Sequence, residues 1–356
     1  ARMTSQAITA LADMLSPHVP LGKTRLETLC LLIIGVISAR TVNLSHVACE
    51  RSGEVLIAST YRRLQRFFQH VALGEDWSAG LVIRLLGLSG PWNLCLDRTN
   101  WKIGGRDVNI LMLAVATRRF RVPLMWTVLD KAGNSNTQER VALMQRYLAL
   151  FGAESVRLLL ADREFIGLKW LNFLNGKNIP FAIRVKARLR VETEDGRRLN
   201  LSSLLRKYRG ARKFYATFPG QGDVAALTLT FAARRIRGGE LLIVASNVAD
   251  RNTLNAYRRR WAIECLFGDT KTRGLNLEDT RLQIASKLSL LLAIVSLAVV
   301  WANRTASTLI GRGTLKRKTH GYYAKSWFRT GFDEIRRLLR SDPCAAVQPW
   351  SRISIQ

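Results

Sequence analysis

The sequence predicts an α/β protein built on a mixed sheet and flanked by helical regions at both ends. The middle of the 356-residue chain follows the order β-β-β-α-β-α-β, which places helices on both faces of a mixed sheet. The first ninety residues, and residues 254–339, instead carry apolar residues at the three- and four-residue spacing typical of helices. Apolar residues make up 48% of the chain, which is enough for a packed core.

The charge of the chain predicts a polyanionic partner. The sequence has 55 Lys and Arg against 26 Asp and Glu, a net charge of +29. A protein that covers phosphates gains affinity by releasing condensed counterions, so nucleic acid is the expected partner, and an ordinary small-metabolite enzyme is not. The five cysteines and four histidines are dispersed, without a C-x-x-C motif. This pattern argues against a disulfide framework and against a zinc site.

The N-terminal region reads as five helices, and one of them carries a basic face. In the helix at Thr60–Val71, three arginines, Arg62, Arg63 and Arg66, lie beside an apolar face. Such a helix can lie along DNA with its arginines on phosphates or base edges. The alternative is a solvated basic face on a structural bundle. The other four helices are expected at Thr4–Ser16, Lys23–Ser38, Ser45–Arg51 and Asp76–Leu86.

The central region begins after Gly90, where short runs rich in β-branched and aromatic residues replace the helical pattern. Strands alternate with helices here, and the strand at 156–161 is apolar apart from its one arginine, as expected when both faces of a sheet are covered. The expected strands are Trp92–Asp97, Val108–Thr117, Val122–Leu129, Val156–Ala161 and Phe181–Lys186, and the expected helices are Thr137–Phe151 and Leu168–Leu174.

Residues 188–245 read as a small antiparallel β-module inserted into the α/β region. Residues 181–240 contain 14 Lys and Arg against 5 Asp and Glu, a net of +9. One cluster interleaves cations with rings, as a site that holds a DNA strand and stacks a base requires. In an alternative interpretation, Phe214 and Phe218 lie on the same face of a strand and form the core of the module. The rings on the opposite face would then contact DNA. The cluster comprises Lys207, Tyr208, Arg209, Arg212, Lys213 and Tyr215.

Two apolar runs are candidates for membrane spans, and both are too short. Leu29–Ile37 and Leu288–Ala302 fall below the roughly 20 residues that a bilayer requires. We therefore expect buried core helices and no membrane partner. Residues 1–20 lack an uninterrupted apolar stretch of the signal-peptide type, so the expected location is the cytoplasm.

Two aspartates end apolar strands at positions suited to metal binding. Asp97 follows the run Trp92–Leu96, and Asp162 follows the run 158–161. Each one alone is more typical of a capping or salt-bridged residue, but strand ends in open α/β sheets are where ligands bind. Phosphodiester chemistry uses two divalent cations held by carboxylates, and a few hard oxygen ligands suffice for Mg²⁺. Two such aspartates on separate strands therefore indicate a metal site.

The segment Tyr257–Lys271 supplies the most specific pattern, Y-x2-R-x3-E-x6-K. Its polar members fall within one stripe of about 60° on a helix, and they are Tyr257, Arg260, Glu264 and Lys271. This arrangement suits a site where Glu264 holds metal while Arg260 and Lys271 hold phosphate. The alternative is a surface helix stabilised by ion pairs. Glu164 and Asp269 are the nearest alternatives for the third carboxylate.

These motifs resemble the insertion sequence 4 type of DDE transposases. The resemblance rests on L-x-L-D-x-T-x-W, L-x-A-D-R-x-F and the Tyr257–Lys271 pattern, and it covers roughly residues 90–285. It implies an RNase H-like mixed five-stranded sheet with a β-rich insertion. The metal ligands implied are Asp97, Asp162 and Glu264, holding two Mg²⁺ or Mn²⁺ per site, and the residues implied to contact transposon-end phosphates are Tyr257, Arg260 and Lys271.

One departure from that family concerns base flipping. Relatives stack a flipped base on a tryptophan in the insertion, whereas no Trp lies between Trp170 and Trp261 here. Tyr208, Phe214, Tyr215 or Phe218 is then the available stacking ring.

The predicted organisation has four parts. These are a helical DNA-binding domain at 1–90, an RNase H-like catalytic domain at 91–187 and 246–285, the inserted β-module at 188–245, and a C-terminal helical region at 286–356 for dimerisation or DNA contacts.

The predicted function is a cut-and-paste transposase of the bacterial cytosol, associated with the nucleoid. It binds terminal inverted repeats of double-stranded DNA as a homodimer, cuts both strands and joins the 3′ ends to target DNA. Two alternatives remain open: an RNase H-like nuclease or resolvase, and a non-catalytic DNA-binding protein derived from a transposase.

Overall fold

A single ten-stranded sheet runs through the protein, in the order β3-β2-β1-β4-β5-β10-β9-β8-β6-β7. The computed structural model describes residues 2–103, 105–236, 238–249, 253–258, 274–319 and 323–355. The strands are β1 (Trp92–Ile103), β2 (Arg106–Ala116), β3 (Arg121–Leu129), β4 (Val156–Ala161), β5 (Phe181–Arg184), β6 (Arg190–Glu192), β7 (Arg198–Asn200), β8 (Arg212–Phe218), β9 (Leu227–Arg235) and β10 (Leu241–Ser246).

The first half of the sheet confirms the predicted RNase H-like mixed fold. Strands β1, β2 and β3 form an antiparallel meander. Strand β4 then pairs with β1 in parallel, and β5 pairs with β4 in parallel. Parallel neighbours need crossover connections, and helices α6 (Thr137–Phe151) and α7 (Leu168–Gly176) supply them. Because helices cover these strands, β4 and β5 are almost wholly apolar, as their sequences predict.

The strands of the predicted insertion continue the same sheet. Strand β10 pairs with β5, and β9, β8, β6 and β7 follow outward from it. The predicted five-stranded sheet is therefore half of a ten-stranded one. Within the insertion the sequence predicts four strands, at Arg190–Thr193, Lys213–Phe218, Ala226–Ala232 and Leu241–Ser246. Strand β7 and the short helix α8 (Leu201–Leu204) have no counterpart among them, because Arg198–Asn200 follows the turn at Asp195-Gly196 without an alternating pattern of its own.

The remaining helices come from both ends of the chain and pack together. Five of them precede the sheet, and α9 follows β10. Helix α10 is the central one, since it packs against α2, α5, α11 and strand β3. These helices are α1 (Arg2–Leu15), α2 (Lys23–Ala39), α3 (Leu44–Cys49), α4 (Ile57–His70), α5 (Ala79–Leu86), α9 (Thr253–Arg258), α10 (Ala285–Ile310), α11 (Trp327–Ser341) and α12 (Pro343–Val347).

The two apolar runs are core helices, as predicted. Residues 29–37 of α2 are buried throughout. Helix α10 has the length and hydropathy of a membrane span, but 78% of its most apolar stretch is buried inside the described part of the chain. An apolar helix that is covered on all sides belongs to a protein core.

Hydrogen bonds tie α10 to the sheet and to the N-terminal helices. Trp126 of β3 donates its indole N–H to the Ser289 hydroxyl at 2.8 Å. The Ser296 hydroxyl donates to a backbone carbonyl of β3, and Arg304 donates to the Leu86 carbonyl at 3.1 Å. The helical regions before and after the sheet thus share one core, while the predicted domain boundaries stay a prediction.

Two glycines allow helices to approach closely. A Cβ at Gly331 of α11 would lie 1.7 Å from the carbonyl oxygen of Ala302 in α10. A Cβ at Gly35 of α2 would lie 2.6 Å from a methyl group of Val47 in α3. The first neighbour is rigid backbone and the second is a side chain that can move, so Gly331 is the stricter requirement.

We expect Gly331→Ala to lower the free energy of unfolding by about 3 kcal/mol, because α11 must move away from α10 to make room for the methyl group. Thermal and denaturant unfolding of the purified chain measure the change.

Gly80→Ala is the matched control, because Gly80 is an exposed helical glycine with open space around its Cα. This change should stabilise the protein by roughly 0.5 kcal/mol through helix propensity. Effects of the same sign in both variants would contradict the close-packing explanation.

Candidate active site and nucleic-acid interface

Two carboxylates lie side by side where two neighbouring strands reach the same level. The parallel register of β1 and β4 ends with Leu96 opposite Ala161. Asp97 and Asp162 follow these residues directly, so they occupy neighbouring positions on one face, with backbones about 5 Å apart. Both side chains are half-buried. The structure therefore brings the two predicted aspartates together.

The chemistry of this pair suits a hard divalent cation. Carboxylate oxygens are the ligands that Mg²⁺ and Mn²⁺ prefer. Two carboxylates on adjacent strands repel each other, and a cation between them removes that cost. Asp97 and Asp162 therefore fit the metal that the sequence motifs imply.

Tyr257 covers the sheet face that carries the aspartates. Its ring is only 5% exposed and packs with Cys95, Leu160 and Val244 on that face. Its hydroxyl donates to Asp162 Oδ1 over 3.4 Å, a long hydrogen bond. The sequence predicts a phosphate contact for this tyrosine, and the structure places it beside Asp162 with its ring buried.

The rest of the Tyr257–Lys271 pattern lies outside the described residues. This holds for Arg260, Glu264 and Lys271, and also for Asp269. Within the part of the chain that the structure describes, no three His, Cys, Asp or Glu side chains cluster as a metal site. The third ligand and the two phosphate contacts stay predictions.

Glu164 lies on the opposite face from Asp97, where it binds Arg98. Neighbouring residues of a strand point to opposite faces, so Arg98 faces away from the aspartate pair. Its guanidinium meets both carboxylate oxygens of Glu164, at 3.2 and 3.3 Å. It also donates to Asn109 at 3.1 Å and to Asn134 at 3.2 Å. This geometry commits Glu164 to Arg98 rather than to the third metal position.

Arg140 of α6 supports the turn that follows Asp162. Its guanidinium donates to the Glu164 carbonyl at 3.0 Å and to the Ser135 hydroxyl at 2.9 Å, and it lies 5.1 Å from the Phe165 ring. Burial holds the pKa of this guanidinium below its usual value, although the charges of Glu164 and Glu139 act in the opposite direction. Arg98 and Arg140 together fix residues 163–165. The sequence patterns indicate no role for either arginine. Arg98 could have been noticed because it directly follows Asp97, whereas the pattern around Arg140 gives no such signal.

The three arginines of α4 divide into two kinds. Arg62 and Arg66 are exposed. Arg63 instead donates to the Thr28 hydroxyl at 2.7 Å and to the Thr24 carbonyl at 2.8 Å, which joins α4 to α2. Arg63 therefore acts as a structural residue, and the DNA-contact prediction for α4 rests on Arg62 and Arg66.

The rings of the insertion also divide by face. Phe214 of β8 stacks on Phe231 of β9 with ring centroids 5.6 Å apart, which confirms the predicted core packing. Tyr215 points to the other face and is 51% exposed. Tyr208 is 39% exposed, but the Arg212 guanidinium lies 3.7 Å from the centre of its ring. Tyr215 is therefore the more open stacking surface.

The cations of the insertion lie some distance from the aspartates. Lys207 and Arg209 are exposed in the segment before β8. Lys213 of β8 donates to the Ala249 carbonyl at 2.9 Å, near the segment that leads into α9. Strand β8 is four strands from β4, which corresponds to about 19 Å across the sheet.

We expect Glu164→Gln to lower the free energy of unfolding by about 2 kcal/mol, because the half-buried Arg98 loses its ionic partner. Chemical denaturation measures the loss.

Glu192→Gln is the control, since Glu192 forms an exposed ion pair with Arg198 at 2.9 Å. Exposed pairs contribute less than about 1 kcal/mol, so this change should be nearly neutral. Equal destabilisation by the two changes would argue against a special role for the Arg98–Glu164 pair.

Comparison with known proteins identifies the family of this chain. The family model for the transposase DDE domain matches residues 89–301, which is more than half of the 356-residue chain. No curated protein matches the chain. Among solved structures, it is similar to a piggyBac transposase synaptic complex with hairpin DNA, at 11% identity and a TM-score of 0.44, over 97% of this chain and 79% of that one. By the family match, the chain belongs to the transposases with a DDE domain.

Proposed function

We propose that this chain is a cut-and-paste transposase of the insertion sequence 4 type. It binds the terminal inverted repeats of an insertion sequence, cuts both DNA strands and joins the 3′ ends to target DNA, as a homodimer on the DNA. The observation that carries the proposal is the placement of Asp97 and Asp162 at neighbouring positions on one sheet face, within the matched DDE domain. The proposed location is the bacterial cytosol, where the DNA substrate lies.

Asp97, Asp162 and Glu264 form the proposed ligand set for two Mg²⁺ or Mn²⁺ ions. When bound, such a pair supplies an activated water or 3′-hydroxyl and stabilises the leaving oxygen of the phosphodiester. The Tyr257 hydroxyl orients the Asp162 carboxylate, since it reaches Oδ1 from the buried cluster. On the other face, Arg98 holds Glu164 and keeps the end of β4 in place beside β1.

The basic residues hold the DNA in this proposal. Arg260 and Lys271 contact the phosphates next to the cut. Arg62 and Arg66 of α4 contact a further stretch, because their guanidinium groups are on the exposed face of that helix.

The insertion contacts DNA several base pairs from the cut. Its phosphate contacts are Lys207, Arg209, Arg212 and Lys213. Tyr215 offers an open ring for an extruded base, whereas Arg212 already covers one face of Tyr208. The distance of about 19 Å across the sheet favours a flanking contact over stacking of the base at the cut itself.

Two alternative functions differ in their products. A nuclease or resolvase of this fold cuts DNA without joining a 3′ end to target DNA. A non-catalytic derivative binds DNA and leaves it intact. Both are distinguished by one assay, in which a duplex ending in the inverted repeat is incubated with Mg²⁺ and a supercoiled target.

In that assay, we expect Asp97→Asn, Asp162→Asn and Glu264→Gln each to reduce strand cleavage by more than about 100-fold. Loss of a group that only supports a metal ligand costs up to about 100-fold, and loss of the ligand itself should cost more. Gel analysis of end-labelled DNA measures cleavage, and a parallel shift assay should show end binding retained.

Asp107→Asn is the matched control, because Asp107 is an exposed aspartate of the neighbouring strand β2. It should cleave at the normal rate. Normal nicking by the Asp97→Asn variant would refute the assignment of this site.

For DNA binding, we expect the double variant Arg62→Ala, Arg66→Ala to flatten the slope of log affinity against log salt by about 1.8, which is 0.9 for each lost phosphate contact. Titrations of a fluorescent duplex at several salt concentrations measure the slope.

Arg63→Ala should instead lower stability and leave the salt slope unchanged, because its guanidinium is bound to α2. If the slope falls in the Arg63 variant and not in the double variant, α4 faces DNA in another orientation than proposed.

A further inference from the structure

A second basic surface lies at the far end of the sheet from the aspartates. We name it the distal basic surface. It combines the turn between β2 and β3 with the segment that joins α10 to α11. Its members in the described residues are Arg118, Arg119, Arg312, Lys316, Arg317, Lys318 and Tyr323.

Specific contacts make the two segments one surface. Arg119 of the β2–β3 turn donates to the Gly311 carbonyl at 3.3 Å. The same guanidinium lies 4.7 Å from the ring centre of Trp327, at the start of α11. The turn and the segment therefore have a fixed relation to each other.

The strand register sets the distance from the aspartates. Asp97 pairs with Met112 of β2, and the turn begins at Thr117, five residues further along. At about 3.4 Å per residue, the turn lies about 17 Å beyond the aspartates. The distal basic surface therefore lies too far from the aspartates to touch the phosphates beside them.

The positive charge of the distal basic surface favours binding of a polyanion. Residues 311–326 contain five Lys or Arg and no Asp or Glu. One of them, Lys325, is bound by Asp333 at 2.8 Å. In the described part of the chain, no carboxylate comes within ion-pair distance of Arg118, Lys316 or Lys318. Like charges held together raise the free energy of the free protein, and an anionic partner removes this cost.

One aromatic ring of the surface, that of Tyr323, is exposed and contacts Arg317. Tyr323 is 53% exposed, and its strand-like pairing with Arg317 aligns the two residues. The Arg317 guanidinium lies 5.0 Å from the ring centre and donates to the hydroxyl at 3.3 Å. The side chain of Arg317 is thereby pre-positioned, which lowers the entropy lost when a phosphate binds.

We propose that the distal basic surface binds the phosphates of a stretch of duplex DNA other than the stretch being cut. The proposal rests on the proposed function in so far as DNA is the substrate. Among polyanions, duplex DNA matches a surface that exposes several cations, because its phosphates are closely and regularly spaced. The surface holds this second stretch in place while Asp97 and Asp162 act on the first.

The test uses the full chain in EDTA, so that DNA is bound and not cut. The variant Lys316→Gln, Lys318→Gln is titrated with a fluorescent duplex at several salt concentrations. We expect the slope of log affinity against log salt to fall by about 1.8 for two lost contacts. Hydrogen exchange of residues 311–319 in the unmodified chain should also slow when the duplex is added.

The control variant is Lys169→Gln, Lys177→Gln, which removes the same charge from two exposed lysines at α7. It should keep the original slope. Arg118→Gln, on the other segment of the surface, should lower the slope by about 0.9 without disturbing the α10–α11 connection.

Equal slopes in the Lys316, Lys318 variant and the control would overturn the proposal, and so would a selective loss of binding to anionic lipid vesicles with an unchanged DNA slope. The measurement needs no catalysis, so its result is independent of the cleavage assay. If the unmodified chain leaves the inverted-repeat duplex uncut in Mg²⁺, the proposed function fails while the distal basic surface is still decided by its own slopes.

Discussion

The parallel pairing of β1 with β4 is the constraint on which the rest of the site depends. Its register sets Leu96 opposite Ala161, and so carries Asp97 and Asp162 to the same level on the same face. A slip of one residue would turn one of the carboxylates to the other face, because strand side chains alternate. The pairing in turn requires a crossover helix, α6, and burial of both strands. The hydrophobic core of the sheet therefore determines the geometry of two polar side chains.

The two faces of the sheet at this point have different tasks. On one face, the aspartates are half-buried, and the Tyr257 hydroxyl donates to Asp162. On the other face, Arg98 binds Glu164 at 3.2 Å, and α6 contributes Arg140. On this side, the Arg98 guanidinium donates to Glu164, Asn109 and Asn134. A rigid, ionic platform behind the aspartates allows them to stay near each other despite their mutual repulsion.

Part of the positive charge of the chain is bound inside the fold. Several arginines donate hydrogen bonds inside the fold. Their partners are backbone carbonyls and carboxylates that burial would otherwise leave unpaired. Arg146, for example, joins α6 to Asp76 at 2.8 Å and to the carbonyl of Trp126 at 2.7 Å. Other cations are exposed, and groups of them lie on α4, on the segment around β8, and at the β2–β3 turn with the α10–α11 connection. A net charge of +29 thus resolves into structural arginines and separate basic surfaces.

By itself, the sequence determined the kind and order of most elements, because periodicity reports which face of a segment is buried. The helix Thr137–Phe151 and the strand Val156–Ala161 have the bounds that their patterns predict. It also marked Asp97 and Asp162, since a carboxylate after an apolar strand is conspicuous. Only the tertiary structure decided that the insertion continues the sheet, that Arg63 binds α2, and that Glu164 belongs to Arg98. These outcomes depend on pairing between residues far apart in the chain, and a local pattern carries no information about which distant partner a strand or an arginine will meet.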